Sequence, residues 1–179
     1  LQLELGKRHV FFAHLTYVPI PGGVNEQKSK PTQQSVAKLM ARGLSPNAII
    51  CRGKESVSDP VKRKISDFSN LDMSSVLSAV DVDNVYKIPL HFHNQGIVSL
   101  INSQLGLDAK PDLTGWKRLI ERKQNAVQKI TVAICGKYTA LEDSYASVVE
   151  ALDHAGANMG VDIDILWIDT ERLEKDAGL

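Results

Sequence analysis

The sequence lacks the features that mark several large classes of protein. Its 179 residues include only two cysteines, too few for the disulfide framework of a small secreted domain. No apolar run approaches the roughly 20 residues that a membrane-spanning helix needs. Basic and acidic residues both number 21, so no excess of charge favours nucleic acid or a membrane as partner. Cys51 and Cys135 lie in or beside apolar runs, and we expect two buried, reduced thiols in a cytoplasmic protein.

Two further absences concern targeting and catalysis. The first residues, LQLELGKRH, have neither the basic start nor the apolar segment of a signal peptide, and we expect the chain to be a fragment that begins within a fold. The Gly136–Lys137 pair fails the G-x-x-x-x-G-K-[ST] phosphate-loop pattern, because Thr131 and Tyr138 stand at its other required positions. Neither cysteine has a G-x-C-x-G setting, so we identify no catalytic residue.

Apolar runs alternate with amphipathic segments along the chain. This order predicts an α/β fold with parallel sheets, whose strands are buried on both faces. The predicted strands are Val10–Val18, Ala48–Cys51, Val76–Val80, Ile130–Cys135 and Val161–Ile168. The predicted helices span residues 31–42, 59–68, 96–105 and 143–154, with Gly43, Gly106 and Gly156 as C-terminal caps. A polar stretch with a Trp116-containing helix predicts a linker over 108–128, which separates domains at 1–107 and 129–179.

The stretch from Asn25 to Gln33, NEQKSKPTQ, is the strongest candidate for a binding site. Lys28 and Lys30 precede a helix with Pro31 in its first turn, where a proline wastes no hydrogen bond. Lysine ammonium groups and a helix N-terminus both favour anions. The stretch therefore predicts a polyphosphate clamp, in which Gln33 bonds a sugar or base. The alternative is an exposed charged loop before an ordinary helix.

Other polar residues carry weaker signals. Arg52 follows a strand at the sheet edge where ligands gather in open α/β folds, although such an arginine is commonly only solvated. Asp81 and Asp83 suggest a metal site or, more simply, a turn. His91 and His93 would share a face and suit zinc if they lay on a strand. His14, inside the first apolar run, is expected to be a satisfied core residue.

Two motifs carry a resemblance to the CTP synthase family. NEQKSKPTQQSV, after HLTYVP, resembles the family stretch GE-x-K-T-K-P-T-Q-x-S-V, with Asn25 in place of glycine and Ser29 in place of threonine. GKYTALEDSYASVVEAL, which starts at Gly136, resembles the opening of the family's glutamine amidotransferase domain. The resemblance implies the C-terminal part of a P-loop-type amidoligase (synthase) domain in 1–107. It also implies an interdomain linker and the beginning of a class I glutamine amidotransferase α/β domain.

The resemblance also implies roles for individual residues. UTP, or CTP as product inhibitor, would contact Lys28, Ser29, Lys30, Pro31, Thr32, Gln33 and Lys64. The adenine of ATP would meet Val80, Asp81 and Val82, largely through backbone groups, with Arg52 nearby. Magnesium, the expected metal cofactor, would be held by family ligands outside this chain.

The activity that the resemblance implies is the ATP-dependent amination of UTP to CTP in pyrimidine biosynthesis. ATP phosphorylates the uracil O4, and ammonia, supplied by glutamine hydrolysis, displaces the phosphate. The implied partners are UTP, CTP, ATP and glutamine, and a homo-oligomer from dimer to tetramer. Because the phosphate loop and the amidotransferase triad are missing from this sequence, we expect the chain alone to be inactive. The alternatives are another amidoligase joined to an amidotransferase, and a non-catalytic nucleotide-binding or assembly module.

Overall fold

The computed structural model describes residues 2–139 and 141–171 and shows an α/β protein with parallel sheets. The helices are α1 Gln2–Leu5, α2 Lys30–Met40, α3 Asp59–Ser69, α4 Ile88–Asn94, α5 Ile97–Leu105, α6 Thr114–Gln124 and α7 Ala146–Met159. The strands are β1 Ala13–Tyr17, β2 Ala48–Gly53, β3 Val76–Val80, β4 Gln128–Gly136 and β5 Val161–Asp169. Short 3₁₀ turns occupy Lys7–His9, Met73–Ser75, Val85–Lys87 and Glu142–Tyr145.

The chain divides into two compact units. The first unit is Leu1–Leu113 and the second is Thr114–Leu179. The polar stretch at 108–128 is thus split, and its helix α6 belongs to the second unit. The identities inferred above for 1–107, 108–128 and 129–179 remain predictions, and the outer limits, residues 1 and 179, lie outside the described residues.

The first unit is organised around a three-stranded parallel sheet in the order β1-β2-β3. Because successive side chains on a strand point to opposite faces, each strand offers one set of residues to each side. On one side, Ile49 and Cys51 of β2 pack in a core with Val36 of α2 and Ile65 of α3. Val36, Ile49 and Ile65 have no exposed surface, so this face of the sheet is closed by the two helices.

The expectation that the first strand is buried on both faces is wrong. Leu15 is 62% exposed and Tyr17 is 55% exposed, although both lie in β1. The strand is the outermost one described in its sheet, and α2 packs only against the side that carries Thr16 and Val18. Phe68, an apolar residue near the end of α3, is likewise 48% exposed.

The second unit contains a two-stranded parallel sheet of β4 and β5, joined by α7. Burial alternates along both strands, so one face lies against α7 and the other is open. This corrects the prediction of a buried strand at Ile130–Cys135 and of two buried thiols, because Cys135 is exposed and only Cys51 is buried. Helix α6 packs against α7, where Lys123 forms an ion pair with Asp153.

Gly156 has a different role from the one predicted. Helix α7 continues past it to Met159, and Gly160, with φ +71°, is the residue that ends the helix. Gly156 is buried, and a Cβ atom there would lie 2.8 Å from Ile163 Cγ1 and 2.8 Å from the Val161 carbonyl oxygen. The glycine is therefore required by the close approach of α7 to β5.

Within the described part of the chain, none of the helices combines the length and the apolar character needed to cross a membrane.

Candidate nucleotide site

The loop between β1 and α2 is tied to the segment that precedes α3. The Lys28 amide donates to the Pro19 carbonyl at 2.9 Å, which closes the loop at its base. The Gln27 side chain accepts from the Ser58 amide and donates to the Ser56 carbonyl, both at 2.8 Å. These two bonds hold the loop beside the N-terminus of α3, so that groups from both helices share one edge of the sheet.

Three of the predicted nucleotide ligands meet at this edge. The Gln33 side chain donates to the Lys64 carbonyl at 3.3 Å. The Lys28 ammonium lies 2.6 Å from the Glu26 carboxylate. The hydrogen bond and charge of Lys28, with a smaller contribution from Lys64, hold the pKa of the Glu26 carboxyl below its usual value. Lys28 and Lys64, 36 positions apart in the sequence, therefore both act on one exposed carboxylate, and Gln33 bonds the backbone at Lys64.

Helix α2 begins where the loop ends. Lys30 is its first residue and is exposed, Ser29 precedes it at the cap position, and Pro31 lies in the first turn. The free amides of a helix N-terminus carry partial positive charge, which adds to that of the lysines. The arrangement is chemically suited to a polyanion.

Thr32 differs from its neighbours because it faces inward. It has no exposed surface, and its hydroxyl lies 3.1 Å from the Thr16 hydroxyl and 3.2 Å from the Tyr17 carbonyl oxygen. The Thr16 hydroxyl in turn approaches Cys51 Sγ at 3.7 Å, and burial raises the pKa of that thiol. The Thr32 side chain thus anchors α2 to β1 and does not face solvent with the lysines.

His14 has a structural partner, in agreement with the expectation for a core histidine. Its Nε2 atom lies 2.9 Å from the Ser35 hydroxyl on α2. Burial lowers the pKa of the imidazole, which favours the neutral ring. This is a second polar tie between β1 and the helix that carries Lys30 and Gln33.

A separate cavity of about 530 Å³ opens on the other face of the same sheet. Its walls are largely apolar and come from all three strands, from the turn after β3 and from α4. The lining residues are Leu15, Ile50, Arg52, Ala79, Val80, Asp81, Val82, Val85, Ile88, His91 and Phe92. All four predicted ATP-contacting residues, Arg52 and 80–82, are among them.

Arg52 lies within β2 rather than after it, and its guanidinium is held by the end of β3. Nη1 donates to the carbonyls of Ala79 at 3.3 Å and Val80 at 3.1 Å, and Nη2 pairs with the Asp81 carboxylate at 2.6 Å. Arg52 therefore fixes the shape of the polar rim of the cavity.

The two metal hypotheses receive no support from the geometry. Asp81 pairs with Arg52, and Asp83 pairs with Lys87, whose hydrogen bond lowers the pKa of the Asp83 carboxyl. His91 and His93 lie on helix α4, not on a strand, so residues two apart point in different directions. Among the described residues, no cluster of His, Cys, Asp and Glu is suited to hold a metal ion.

Comparison with known proteins identifies the family to which the chain is similar. The profile of the CTP synthase N-terminus matches residues 1–107. A CTP synthase from Methanopyrus kandleri is 47% identical over 175 residues, which is 97% of this chain and 33% of the relative. CTP synthases from Thermococcus kodakarensis and Thermococcus gammatolerans are each 40% identical over 176 residues, 98% of this chain and 33% of the relative.

The chain belongs to the CTP synthase family. It spans about a third of the length of the curated relatives that it matches. The resemblance inferred from NEQKSKPTQQSV is thereby confirmed at the level of the family.

Three residues of the loop and of the cavity were not singled out from the sequence as parts of a nucleotide site. Glu26 is the carboxylate that Lys28 contacts, and Gln27 bonds the segment before α3. Both lie inside the stretch already singled out, so their proximity to the lysines was a usable signal. His91 was considered only as a metal ligand, and its place in the cavity depends on α4 folding back onto β3. No local sequence pattern predicts that contact.

Proposed function

We propose that this chain forms part of the nucleotide-binding apparatus of an enzyme that aminates UTP to CTP with ATP and with glutamine or ammonia. The observation that carries the proposal is that Lys28, in the loop before α2, and Lys64, whose carbonyl accepts from Gln33 of α2, both act on the Glu26 carboxylate. Two cations and an amide beside a helix N-terminus can hold a triphosphate and a pyrimidine ring. Their role is positioning and charge compensation.

Glu26 competes with the nucleotide for the lysine ammonium groups of the proposed clamp. In the structure its carboxylate lies against Lys28 and is influenced by Lys64. A triphosphate carries more negative charge than one carboxylate and competes for the same ammonium groups. We expect nucleotide binding to replace the Glu26–Lys28 contact, which lies at the surface and is therefore weak.

The cavity lined by Arg52 and Val80–Val82 is the proposed ATP base site. Its apolar walls suit a flat ring, and its polar rim is preformed by the Arg52 bonds to β3. The nucleotide clamp and this cavity both lie toward the carboxyl ends of the strands, where open α/β sheets collect ligands. Magnesium does not fit any group of the described residues, and no step is assigned to it in this chain.

The two units have proposed identities as well. We take the first as the C-terminal part of a P-loop-type amidoligase domain and the second as the beginning of a glutamine amidotransferase domain. The strand–helix–strand order of β4, α7 and β5 supports the latter. Self-association into a dimer or tetramer and a cytoplasmic location are part of the same proposal.

The decisive experiment uses a full-length chimera. This chain replaces the corresponding third of the Methanopyrus kandleri CTP synthase, and CTP formation is followed with UTP, ATP, magnesium and either ammonium or glutamine. A charge-assisted contact contributes about 1.5–3 kcal/mol. We therefore expect Lys28→Ala to raise the UTP requirement about tenfold to hundredfold and to weaken CTP inhibition similarly. Glutamine hydrolysis should be retained.

Lys38→Ala is the matched control, because Lys38 is exposed in the last turn of α2, away from the loop. It should leave UTP dependence unchanged, and Lys30→Ala should behave like Lys28→Ala. The isolated 179-residue chain should form no CTP. Unchanged UTP dependence in both loop variants would make this loop an ordinary solvated turn, and a chimera that binds UTP without turnover would favour a non-catalytic module.

A further inference from the structure

His91 is a polar side chain that helix α4 contributes to the wall of the cavity. The rest of the wall nearest to it is apolar and includes Ile88 and Phe92 of the same helix. The imidazole Nε2 atom lies 3.0 Å from the Ser78 carbonyl oxygen of β3. A carbonyl oxygen can only accept, so this contact requires the hydrogen to be on Nε2.

The same strand position is satisfied by another residue. The Gln95 side chain accepts from the Ser78 amide at 2.7 Å and donates to the Ser78 carbonyl at 2.8 Å. Gln95 thus occupies the edge of β3 as a neighbouring strand would. Because Ser78 already has a partner for each backbone group, the His91 contact is not needed to satisfy the strand. Its consequence is to fix the tautomer and the orientation of the ring.

A neutral imidazole with its hydrogen on Nε2 has a lone pair on Nδ1, which can only accept. The two ring nitrogens point in divergent directions, so Nδ1 is directed away from Ser78. The cationic group of the cavity, Arg52, has bonds to Ala79, Val80 and Asp81. The cavity lining therefore combines apolar walls, a rim with fixed polarity and, on the helix side, the imidazole of His91, whose Nδ1 is not engaged by Ser78.

We propose that His91 determines base selectivity in this cavity by accepting a hydrogen bond from the exocyclic amino group of a purine. A purine with a carbonyl at that position would place oxygen against the Nδ1 lone pair and lose the bond. This inference rests on the proposed use of ATP and extends it by naming the residue that distinguishes the base.

The test compares adenosine with inosine, which differ at purine position 6 and carry no phosphate. Binding to the 179-residue chain is measured by NMR titration, and imidazole ¹⁵N shifts report the tautomer of His91. A neutral hydrogen bond has a modest net value. We therefore expect adenosine to bind about five- to tenfold more tightly than inosine.

Two substitutions separate recognition from a structural role. His91→Asn retains an acceptor near the Nδ1 position but cannot reach Ser78, and it should keep the preference for adenosine. His91→Gln can still donate to Ser78 but lacks the acceptor at that position, and it should reduce the preference to less than about twofold. His93→Gln is the control, since His93 is exposed on the same helix and does not line the cavity.

The opposite pattern, with selectivity kept in His91→Gln and lost in His91→Asn, would show that only the Ser78 contact matters and would overturn the proposal. Equal binding of the two nucleosides to the unsubstituted chain, or binding of neither, would also overturn it. These outcomes are independent of CTP formation. A chimera that makes CTP while its base site fails to discriminate would retain the proposed function and remove the role of His91.

Discussion

The two units use the same elements but bury different kinds of side chain. In the first unit, Val36, Ile49 and Ile65 have no exposed surface, and helices cover one face of a three-stranded sheet. In the described part of the second unit, the most buried apolar residue is Ala157, beside Gly156, where α7 approaches β5. The first unit is therefore held by large apolar side chains, and the second depends on close backbone approach. This comparison predicts which substitutions each unit tolerates.

The largest effect is expected from truncating a core side chain. Val36→Ala in α2 removes two buried carbon groups, worth about 1.6 kcal/mol by transfer alone, and leaves a cavity. We expect a loss of about 2–3 kcal/mol in the first unit. Val148→Ala in α7 is the matched control, because Val148 is 47% exposed. Its effect should stay within about 0.5 kcal/mol.

Hydrogen exchange measured peptide by peptide is the suitable readout for this pair, because a single unfolding transition need not describe a chain with two units. Faster exchange in β1–β3 of Val36→Ala, with β4 and β5 unchanged, is the expected result. Equal effects of the two substitutions would mean that the units do not differ in how they are stabilised.

The second largest effect is expected where α7 approaches β5 closely in the second unit. Gly156→Ala would place a Cβ atom 2.8 Å from the Val161 carbonyl oxygen, and backbone cannot move aside cheaply. Overpacking of this kind costs about 1–3 kcal/mol. The gain in helix propensity from glycine to alanine, about 1 kcal/mol, offsets part of it. We expect a net loss of stability confined to the second unit.

Gly115→Ala in α6 is the control that separates the gain in helix propensity from the cost of overpacking. A Cβ atom at this position would have no heavy atom within 4 Å. It should stabilise the second unit by about 0.5–1 kcal/mol. Both variants can be followed by tryptophan fluorescence during urea unfolding, because Trp116 and Trp167 both lie in this unit. A stabilising Gly156→Ala would contradict the role assigned to that glycine.

The smallest effect is a pH dependence in the first unit. Burial lowers the pKa of His14 from 6.5, so the unfolded chain binds the proton more readily than the folded one. The stabilisation is complete above the unfolded value and decreases as pH falls below it. Far-UV circular dichroism during urea unfolding should therefore show a lower midpoint at about pH 5.5 than at about pH 7.5.

His14→Gln should reduce this pH dependence. The pH dependence of the tryptophan-detected transition of the second unit should not change. If the unfolding midpoint changed equally with pH with and without His14, the burial of this imidazole would have no energetic link to protonation.

Much of the fold could be predicted locally. The strand Val76–Val80 has the limits that its pattern indicates, and the helix predicted over 96–105 begins one residue later, at Ile97. Gly106, with φ +65°, ends its helix as expected. Predictions failed where burial was inferred from apolar character, as at Leu15 and Cys135. An apolar side chain is buried only if another element covers it, and that element can lie far away in sequence.

The candidate site likewise has some features that the local sequence predicts and others that depend on tertiary contacts. The charges and the helix start in Asn25–Gln33 were sufficient to predict the candidate clamp, because lysine, proline and glutamine act there through local chemistry. The inward direction of Thr32 and the bonds of Gln27 to Ser56 and Ser58 depend on neighbours that only the folded chain supplies.

By itself, the sequence determined the alternation of strands and helices, the placing of two lysines before a helix start, and the family resemblance. Each depends on residues a few positions apart, and hydrophobic periodicity and capping act over that distance. The tertiary structure alone decided which face of each strand is covered, why Gly156 must be glycine and how His91 meets Ser78. Those outcomes depend on contacts between elements, for which the intervening chain carries no local signal.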